Sequence, residues 1–501
     1  MECIIGLDIG TSSTKAIAFA VDGKVVAEHK IGYPTQNPQP GYFEQDPEEI
    51  FQAVIKSIAA VSQGITKKDE KYVLAGVGIS AAMHSLIAMD DKGEALTNCI
   101  IWADSRSKEY ALKIKNSKEG HDIYLHTGTP IHPMSPLCKL AWMKENMAGV
   151  FDATHKFISI KEYICLRLFG KYVVDYSIAS ATGLFNIHTR KWYAPALKAA
   201  GIEAKQLSEL VPITTKLSPI KETFADLMGI ERSTPFIIGA SDGCLANVGV
   251  NAVKPGDAAV TIGTSGAIRV IGSEPKCDKK ARTFSYVLTE QAFVLGGAVN
   301  SGGAILKWFK ENFAGEEIRE AEEAKLNAYD LIAKKAETVG PGAEGLVFLP
   351  YLMGERAPHW NPDAKGVYFG IRLSHHKAHF IRALMEGIIF SIYGIGKILE
   401  EMTGTINVMY ANGGFVNSPM WVQMLADVFN KKVRVTESYE SSAMGAAIVA
   451  FKALKIFNHK RTGESWVPTI HEFTPDAANH EIYMQNVAVF ERLYQKLKDE
   501  F

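Results

Sequence analysis

Two short turns carry the side chains best suited to chemistry. Leu7-Asp8-Ile9-Gly10-Thr11-Ser12-Ser13-Thr14-Lys15 ends an apolar run on a carboxylate and follows it with a glycine and four hydroxyl residues. Gly10 admits close backbone approach, and Thr11, Ser12 and Ser13 offer hydroxyls and N–H groups to phosphate oxygens. Asp8 cannot itself hold phosphate, but it suits the hydrated Mg²⁺ that neutralises phosphate. A hairpin whose hydroxyls bond their own backbone is the plain alternative. About half a chain later, Gly263-Thr264-Ser265-Gly266 repeats the same turn chemistry.

Three further elements complete the set. Phe236-Ile237-Ile238-Gly239-Ala240-Ser241-Asp242 delivers a carboxylate at the end of an apolar run. Asp242 there can accept a hydroxyl proton, or it can cap the next helix. Asn412-Gly413-Gly414-Phe415 follows the apolar run 406–411, and paired glycines leave space for a flat ring such as adenine. Met83-His84 and Trp102-Ala103-Asp104-Ser105-Arg106 offer imidazole, carboxylate and guanidinium to sugar hydroxyls, with Trp102 as an apolar wall. Arg106 has two readings: it reaches sugar hydroxyls, or it forms a plain surface pair with Asp104. His375, His376 and His379 lack a carboxylate at zincin spacing and read as a solvated helix start capped by Ser374. The pattern Gly-x-x-x-x-Gly-Lys-Ser/Thr is missing from the sequence, which excludes a Walker-type nucleotide site.

These residues need elements to hold them. Apolar runs at 4–10, 15–21 and 24–33, with Asp22-Gly23 between the last two, predict three antiparallel strands. Asp46, Pro47 and Glu49 open a helix on which Ile50, Val54 and Ile58 share a face. The run 73–80 reads as a buried strand. The tetrapeptide Ile-Gly-Thr-Ser occurs at 9–12 and again at 262–265, each time after an apolar run. This predicts two related domains, 1–249 and 250–501, joined at turn-rich chain near 249–256.

Composition bounds the answer. The 501 residues are 47% hydrophobic and carry 54 Lys plus Arg against 55 Asp plus Glu, a formal net charge of -1. That balance argues against a nucleic-acid binder or a polybasic membrane-surface protein. Six scattered cysteines without a Cys-x-x-Cys pair predict reduced thiols. Met1-Glu2 runs directly into Cys-Ile-Ile without a basic leader, and the greasy stretch 385–402 is broken by Glu386, Lys397 and Glu400. A cytoplasmic protein without a membrane span is the expectation.

Together these motifs resemble the FGGY family of carbohydrate kinases, over nearly the whole chain. The segment 134–146 is similar to the family's first signature, and 366–371 followed by 379–386 to its second, with Leu384 a mild departure. Tyr351 to Pro358 is also similar to a family segment. The resemblance implies an α/β fold of two actin-like (ribonuclease H-like) ATPase domains, mixed sheets flanked by helices, with a cleft between them. It implies ATP and Mg²⁺ as cofactors, Asp8 at the metal, and Asp242 as general base. It further implies that Thr11, Ser12, Ser13, Gly263, Thr264 and Ser265 serve the phosphates, and that Gly303, Gly413 and Gly414 lie near the nucleotide. Met83 and His84 are similar to sugar-contacting residues.

Within the family, Thr127-Gly128-Thr129-Pro130-Ile131-His132-Pro133-Met134 is most similar to members acting on gluconate. The implied activity is phosphorylation of a terminal hydroxyl of that sugar acid, with D-xylulose as alternative and a chaperone-like ATPase as a more distant one. The implied partners are a sugar or sugar acid and ATP, with a homodimer as one option for assembly.

Overall fold

In the computed structural model, which describes residues 1–68, 72–436, 440–456 and 467–501, the opening apolar runs form an antiparallel meander. Glu2–Ile9 pairs with Ser13–Ala20, which pairs with Val25–Gly32. Val73–Ala81 adds in parallel to the free side of Glu2–Ile9, and Phe236–Ser241 adds in parallel beyond it. The short strand Lys216–Leu217 completes a six-stranded mixed sheet.

Alternation along the strands sorts this sheet into two faces. Cys3, Ile5, Leu7 and Ile9 enter one core with Val77, Ile79 and the helical residues Ile50, Val54 and Ile58. Their helix, Pro47–Lys68, begins where Asp46 Oδ1 accepts the amide of Glu48 at 2.8 Å, with Pro47 in the first position. Gly6 and Asp8 take the other face, registered opposite Gly78 and Ser80. The helix Ser441–Ala453 lies directly on that face. A Cβ built on Gly6 would fall 2.0 Å from the carbonyl oxygen of Ala443, and one on Gly78 would fall 2.2 Å from that of Ala446. The same helix crosses Asp242–Gly249 so closely that a Cβ on Gly249 would lie 1.8 Å from the Ser441 carbonyl oxygen.

The chain divides into two compact units. The first takes Met1–Asn251, Gly272–Val294 and Glu440–Val467, and the second takes Ala252–Ile271, Leu295–Tyr439 and Pro468–Phe501. The second unit repeats the first one's topology. Asp257–Ile262 pairs antiparallel with Gly266–Gly272 and parallel with Val408–Asn412. Lys432–Thr436 and Thr469–Phe473 extend that sheet. Both opening hairpins are closed by the glycine of the repeat: Gly10 donates to the Ser13 carbonyl, three residues on, at 3.1 Å, and Gly263 to that of Ser265, two residues on, at 3.0 Å. The repeated Ile-Gly-Thr-Ser therefore marks one supersecondary unit used twice.

The helix Lys377–Thr403 departs from expectation at its start. Its cap is His376, which forms a reciprocal capping box with His379, and His379 is buried rather than solvated. Imidazole nitrogens accept backbone N–H groups as readily as the carboxyl and hydroxyl oxygens usual at caps, which displaces Ser374 from the role. Among the described residues this is the helix long and apolar enough to cross a membrane, yet 83% of its apolar window is buried within the protein.

The glycine contacts generate a test. Gly78→Ala forces a methyl against the Ala446 carbonyl, so helix and sheet must separate. Urea unfolding should show a loss of about 1–3 kcal/mol, the usual range for overpacking a rigid contact. An unchanged midpoint would mean that the helix does not rest on the sheet at this point.

Candidate active site

Register alone brings two oxygen-bearing side chains together in the first unit. Asp8 and Ser80 end adjacent parallel strands as direct partners, and Ser80 Oγ donates to Asp8 Oδ1 at 2.7 Å. Beyond Ser80, Phe236–Ser241 reaches the same end with a register shift between Ile237 and Ala240. Gly239 sits in that shift at φ 63°, where a Cβ would meet the Ile79 carbonyl oxygen at 1.9 Å, so only glycine fits. The shifted strand delivers Asp242 as the first residue of its helix, with Ser241 in the cap position. Asp242 Oδ1 accepts the amide of Gly243 at 2.6 Å. The cap role weighed for Asp242 thus falls to its neighbour.

Two partners were not singled out from the sequence. Lys15 stands opposite Asp8 in the hairpin, and its Nζ lies 2.5 Å from Glu440 Oε2. Glu440 stands directly before the helix that rests on Gly6 and Gly78. A glycine two residues before each polar strand end, in Gly6-x-Asp8 and Gly78-x-Ser80, was the available signal that another backbone approaches there. Asp8 is pushed up to about 6, first by burial and then by the charge of Asp242, while Ser80 and Lys15 oppose the rise and Glu440 adds to it. This excess of negative charge suits a divalent cation. Among the described residues no group of three or more His, Cys, Asp or Glu side chains forms a metal cage. A hydrated Mg²⁺ needs only one or two carboxylates, so Asp8 with its neighbours fits such an ion.

The candidate sugar residues divide in two. His84 holds a left-handed backbone at φ 67°, and its Nδ1 lies 2.7 Å from the Ala181 carbonyl oxygen. Nδ1 is therefore the donor, and in the neutral ring Nε2 is an acceptor. Met83 is half-buried beside it. Trp102 Nε1 donates to Thr11 Oγ1 at 2.8 Å, tying this cluster to the first phosphate turn. Arg106 and Asp104 are engaged with each other. Asp104 receives Arg106 Nε through both oxygens at 2.9 Å and the amide of Phe43 at 2.7 Å. Arg106 also pairs with Glu44 at 2.6 Å and stacks 4.0 Å over the Tyr42 ring, with its side chain only 3% exposed. Of the two readings of Arg106, the geometry carries the pairing with Asp104.

The second unit contains a cavity of about 680 Å³ at the turn that begins with Gly263 and Thr264. Gly263, Thr264, Gly303 and Gly414 line it, and Trp308, Tyr329, Met385 and Trp421 supply apolar wall. A space of this size and polarity holds a flat heterocycle with its sugar. Gly303 and Ala304 donate to the carbonyls of Gly263 and Thr264 at 2.7 and 3.1 Å, so a helix start braces the turn. Gly413 stands at φ 97° and would press a Cβ to 2.5 Å from the Ile262 carbonyl oxygen. Gly414 has open space where its Cβ would be. Ser265 lies outside the cavity lining. Trp308 and Tyr329 escaped the sequence reading because their helices carry no local phosphate signal.

Comparison with known proteins decides what this geometry belongs to. The N-terminal domain of the FGGY family of carbohydrate kinases matches residues 3–249, and its C-terminal domain matches 258–454. The chain belongs to the FGGY family of carbohydrate kinases. It is 46% identical over 499 residues to the gluconokinase of Bacillus licheniformis, covering 99% of this chain and 96% of that one. Solved structures of a ligand-bound xylulose kinase and a gluconate kinase from Lactobacillus acidophilus are similar at TM-scores of 0.92 and 0.91. Each is 35% identical and covers 99% of this chain, with 99% and 98% of the other chain covered. The fold is thus that of the two-domain sugar kinases, and ATP is the phosphate donor the family implies.

The segment 134–146, similar to the first FGGY signature, acquires a physical role here. It forms the helix Pro136–Asn146, on which Lys139 is fully buried. Lys139 Nζ donates to the carbonyls of His84, Ile100 and Ile101 at 2.6, 3.2 and 2.8 Å. It therefore holds together the strand ends that carry His84 and Trp102. Burial pulls its pKa down to about 7.

The raised pKa of Asp8 makes a prediction with a definite sign. Against an ordinary value of 3.8, a folded value of about 6 means that the ionised carboxylate penalises the folded state. The penalty is absent below about pH 4, grows through the interval, and is complete above about pH 6. Asp8→Asn should therefore unfold at a higher temperature than wild type at pH 8, by the equivalent of about 2–3 kcal/mol, and lose that advantage near pH 4. Calorimetry at both pH values checks it, and a gain independent of pH would mean that charge burial is not the cause.

Proposed function

We propose that this kinase transfers the terminal phosphate of ATP to the terminal hydroxyl of D-gluconate, giving 6-phosphogluconate. The observation that carries the chemistry is the meeting of Asp8, Ser80 and Asp242 at neighbouring strand ends, a carboxylate cluster beside small residues. Asp242 takes the proton of the attacking hydroxyl as its oxygen bonds to the terminal phosphorus and the bond from that phosphorus to the bridging oxygen breaks, releasing ADP. Thr11, Ser12 and Ser13 on one hairpin and Gly263, Thr264 and Ser265 on the other bind phosphate oxygens through N–H and hydroxyl groups. Asp8 would hold a hydrated Mg²⁺, which supplies charge neutralisation on the phosphates when bound. Gly414 and the aromatic wall receive the adenine. His84, Met83 and Trp102 contact the sugar, while Asp104 and Arg106 support the Trp102 segment from behind.

Residues 1–249 bind the sugar and residues 250–501 the nucleotide, except that Gly272–Val294 and Glu440–Val467 belong with the first unit. Six free cysteines, five of them buried, suit a reducing cytoplasm. The choice of gluconate is supported by 46% identity to a gluconokinase along nearly the full length. D-xylulose is the second reading, favoured by the xylulose kinase at TM-score 0.92. A coupled phosphorylation assay across gluconate, xylulose, ribulose and glycerol separates the two, and faster turnover of xylulose than of gluconate overturns the first.

Asp242→Asn should keep the fold and nucleotide affinity while turnover falls by about two to four powers of ten, the usual contribution of a positioned base. Steady-state kinetics at saturating sugar gives the number, and near-wild-type turnover removes Asp242 from this role. Gly414→Val should raise the KM for ATP at least about tenfold and leave the sugar KM within a factor of about two, because the branched side chain points into open cavity. Titration calorimetry with ATP checks this independently of turnover.

A further inference from the structure

The strand that delivers Asp242 is gripped by a buried ion pair with no part in the chemistry described so far. Lys161 lies on the helix Ile160–Phe169 and Asp175 precedes the helix Tyr176–Ser180. Lys161 Nζ lies 2.7 Å from Asp175 Oδ2, with side chains 2% and 0% exposed. The same ammonium donates to the carbonyl oxygen of Ala240 at 3.1 Å. The other carboxylate oxygen, Asp175 Oδ1, accepts the amides of Ser177 and Ile178, both at 3.0 Å. This places Ser177 so that its hydroxyl accepts the amide of Ser241 at 3.1 Å and meets the Ser241 hydroxyl at 2.8 Å.

The carbonyl of Ala240 and the N–H of Ser241 belong to one peptide bond. In a trans peptide they point in opposite directions, so Lys161 and Ser177 hold that plane from both sides. The next residue is Asp242. The plane also follows the irregular register at Gly239, where regular strand pairing gives least guidance. A charged pair buried this deeply is weak evidence for stability, since apolar side chains of similar size do as well or better. Its value lies in direction: the charged hydrogen bonds set the orientation of one peptide.

We propose that Lys161, Asp175 and Ser177 are positioning residues for phosphate transfer, clamping the Ala240–Ser241 peptide so that Asp242 meets the substrate hydroxyl. The proposal rests on the reading of Asp242 as the base. A displacement of about 1 Å at a reacting group lowers rate by about a hundredfold, and binding of ATP, which involves other residues, is untouched.

The test measures kcat, both KM values and the stoichiometry of ATP binding for Ser177→Ala, Lys161→Met and Asp242→Asn. Ser177→Ala removes one side of the clamp and leaves no charge unpaired, so it decides the matter even where Lys161→Met fails to fold. Expected for Ser177→Ala is a fall in kcat of about ten- to a hundredfold per ATP-binding site, with both KM values within about twofold of wild type. Ser177→Thr, which keeps the hydroxyl, should recover most of the rate. A purely structural role lowers ATP stoichiometry in step with activity and spares kcat per site. Unchanged kcat per site in Ser177→Ala, with Asp242→Asn inactive, overturns the clamp alone. Full activity in Asp242→Asn overturns the reading of the base on which it rests.

Discussion

Contact of one helix backbone with the sheet at Gly6 and Gly78 sets the terms for the first unit. Helix Ser441–Ala453 comes within reach of the strands only because neither glycine carries a side chain. Gly6 and Gly78 are register partners, and so are Asp8 and Ser80 two residues on. The strand period of two therefore puts the polar pair on the face the helix covers, just beyond its start. Glu440, at that start, is brought to Lys15, and Asp242–Gly249 packs on the helix through Gly249. A single close approach thus collects Asp8 and Lys15, Asp242, and Glu440 from three distant parts of the chain.

Such a cluster opposes folding. Burial and like charge both work against ionised Asp8, and the remedy of a strong local partner is absent, since Lys15 is shared with Glu440. Three buried basic side chains elsewhere in this unit have close partners. Arg106 is enclosed by Asp104, Glu44 and an aromatic face, Lys139 is spent on three carbonyls, and Lys161 on Asp175 and Ala240. Those cations hold turns and strand ends in place. Asp8, whose charge burial and Asp242 both oppose, is the perturbed group of this cluster, and perturbed groups gather at functional sites in enzymes.

The second unit uses the same hairpin for a different end. Its turn at Gly263 opens into a cavity walled by large apolar side chains, and the cavity is kept open by what is missing at Gly263 and Gly414. The second hairpin closes one residue tighter than the first, and the residues that flank it differ as well. In the first unit a carboxylate ends the strand; in the second, Ile262 stands in the place corresponding to Ile9 and Thr261 in that of Asp8.

The sequence by itself determined the elements and the residue types at their ends. Strands at 2–9, 13–20 and 73–81 follow from continuous apolar runs, and the repeated Ile-Gly-Thr-Ser marks both hairpins, because these signals are local. Asp8, Asp242 and the glycine turns were legible for the same reason. The tertiary structure alone decided who stands beside them. Glu440 reaches Lys15 across 425 residues of chain, and Lys161 reaches Ala240 across 79, separations at which no periodicity carries information. The helix start at His376 and the engagement of Arg106 with Glu44 were invisible likewise, since a side chain's partners are fixed by packing and not by its neighbours in sequence. Local patterns specify which backbone hydrogen bonds form, whereas the pairing of buried polar groups waits on which surfaces meet.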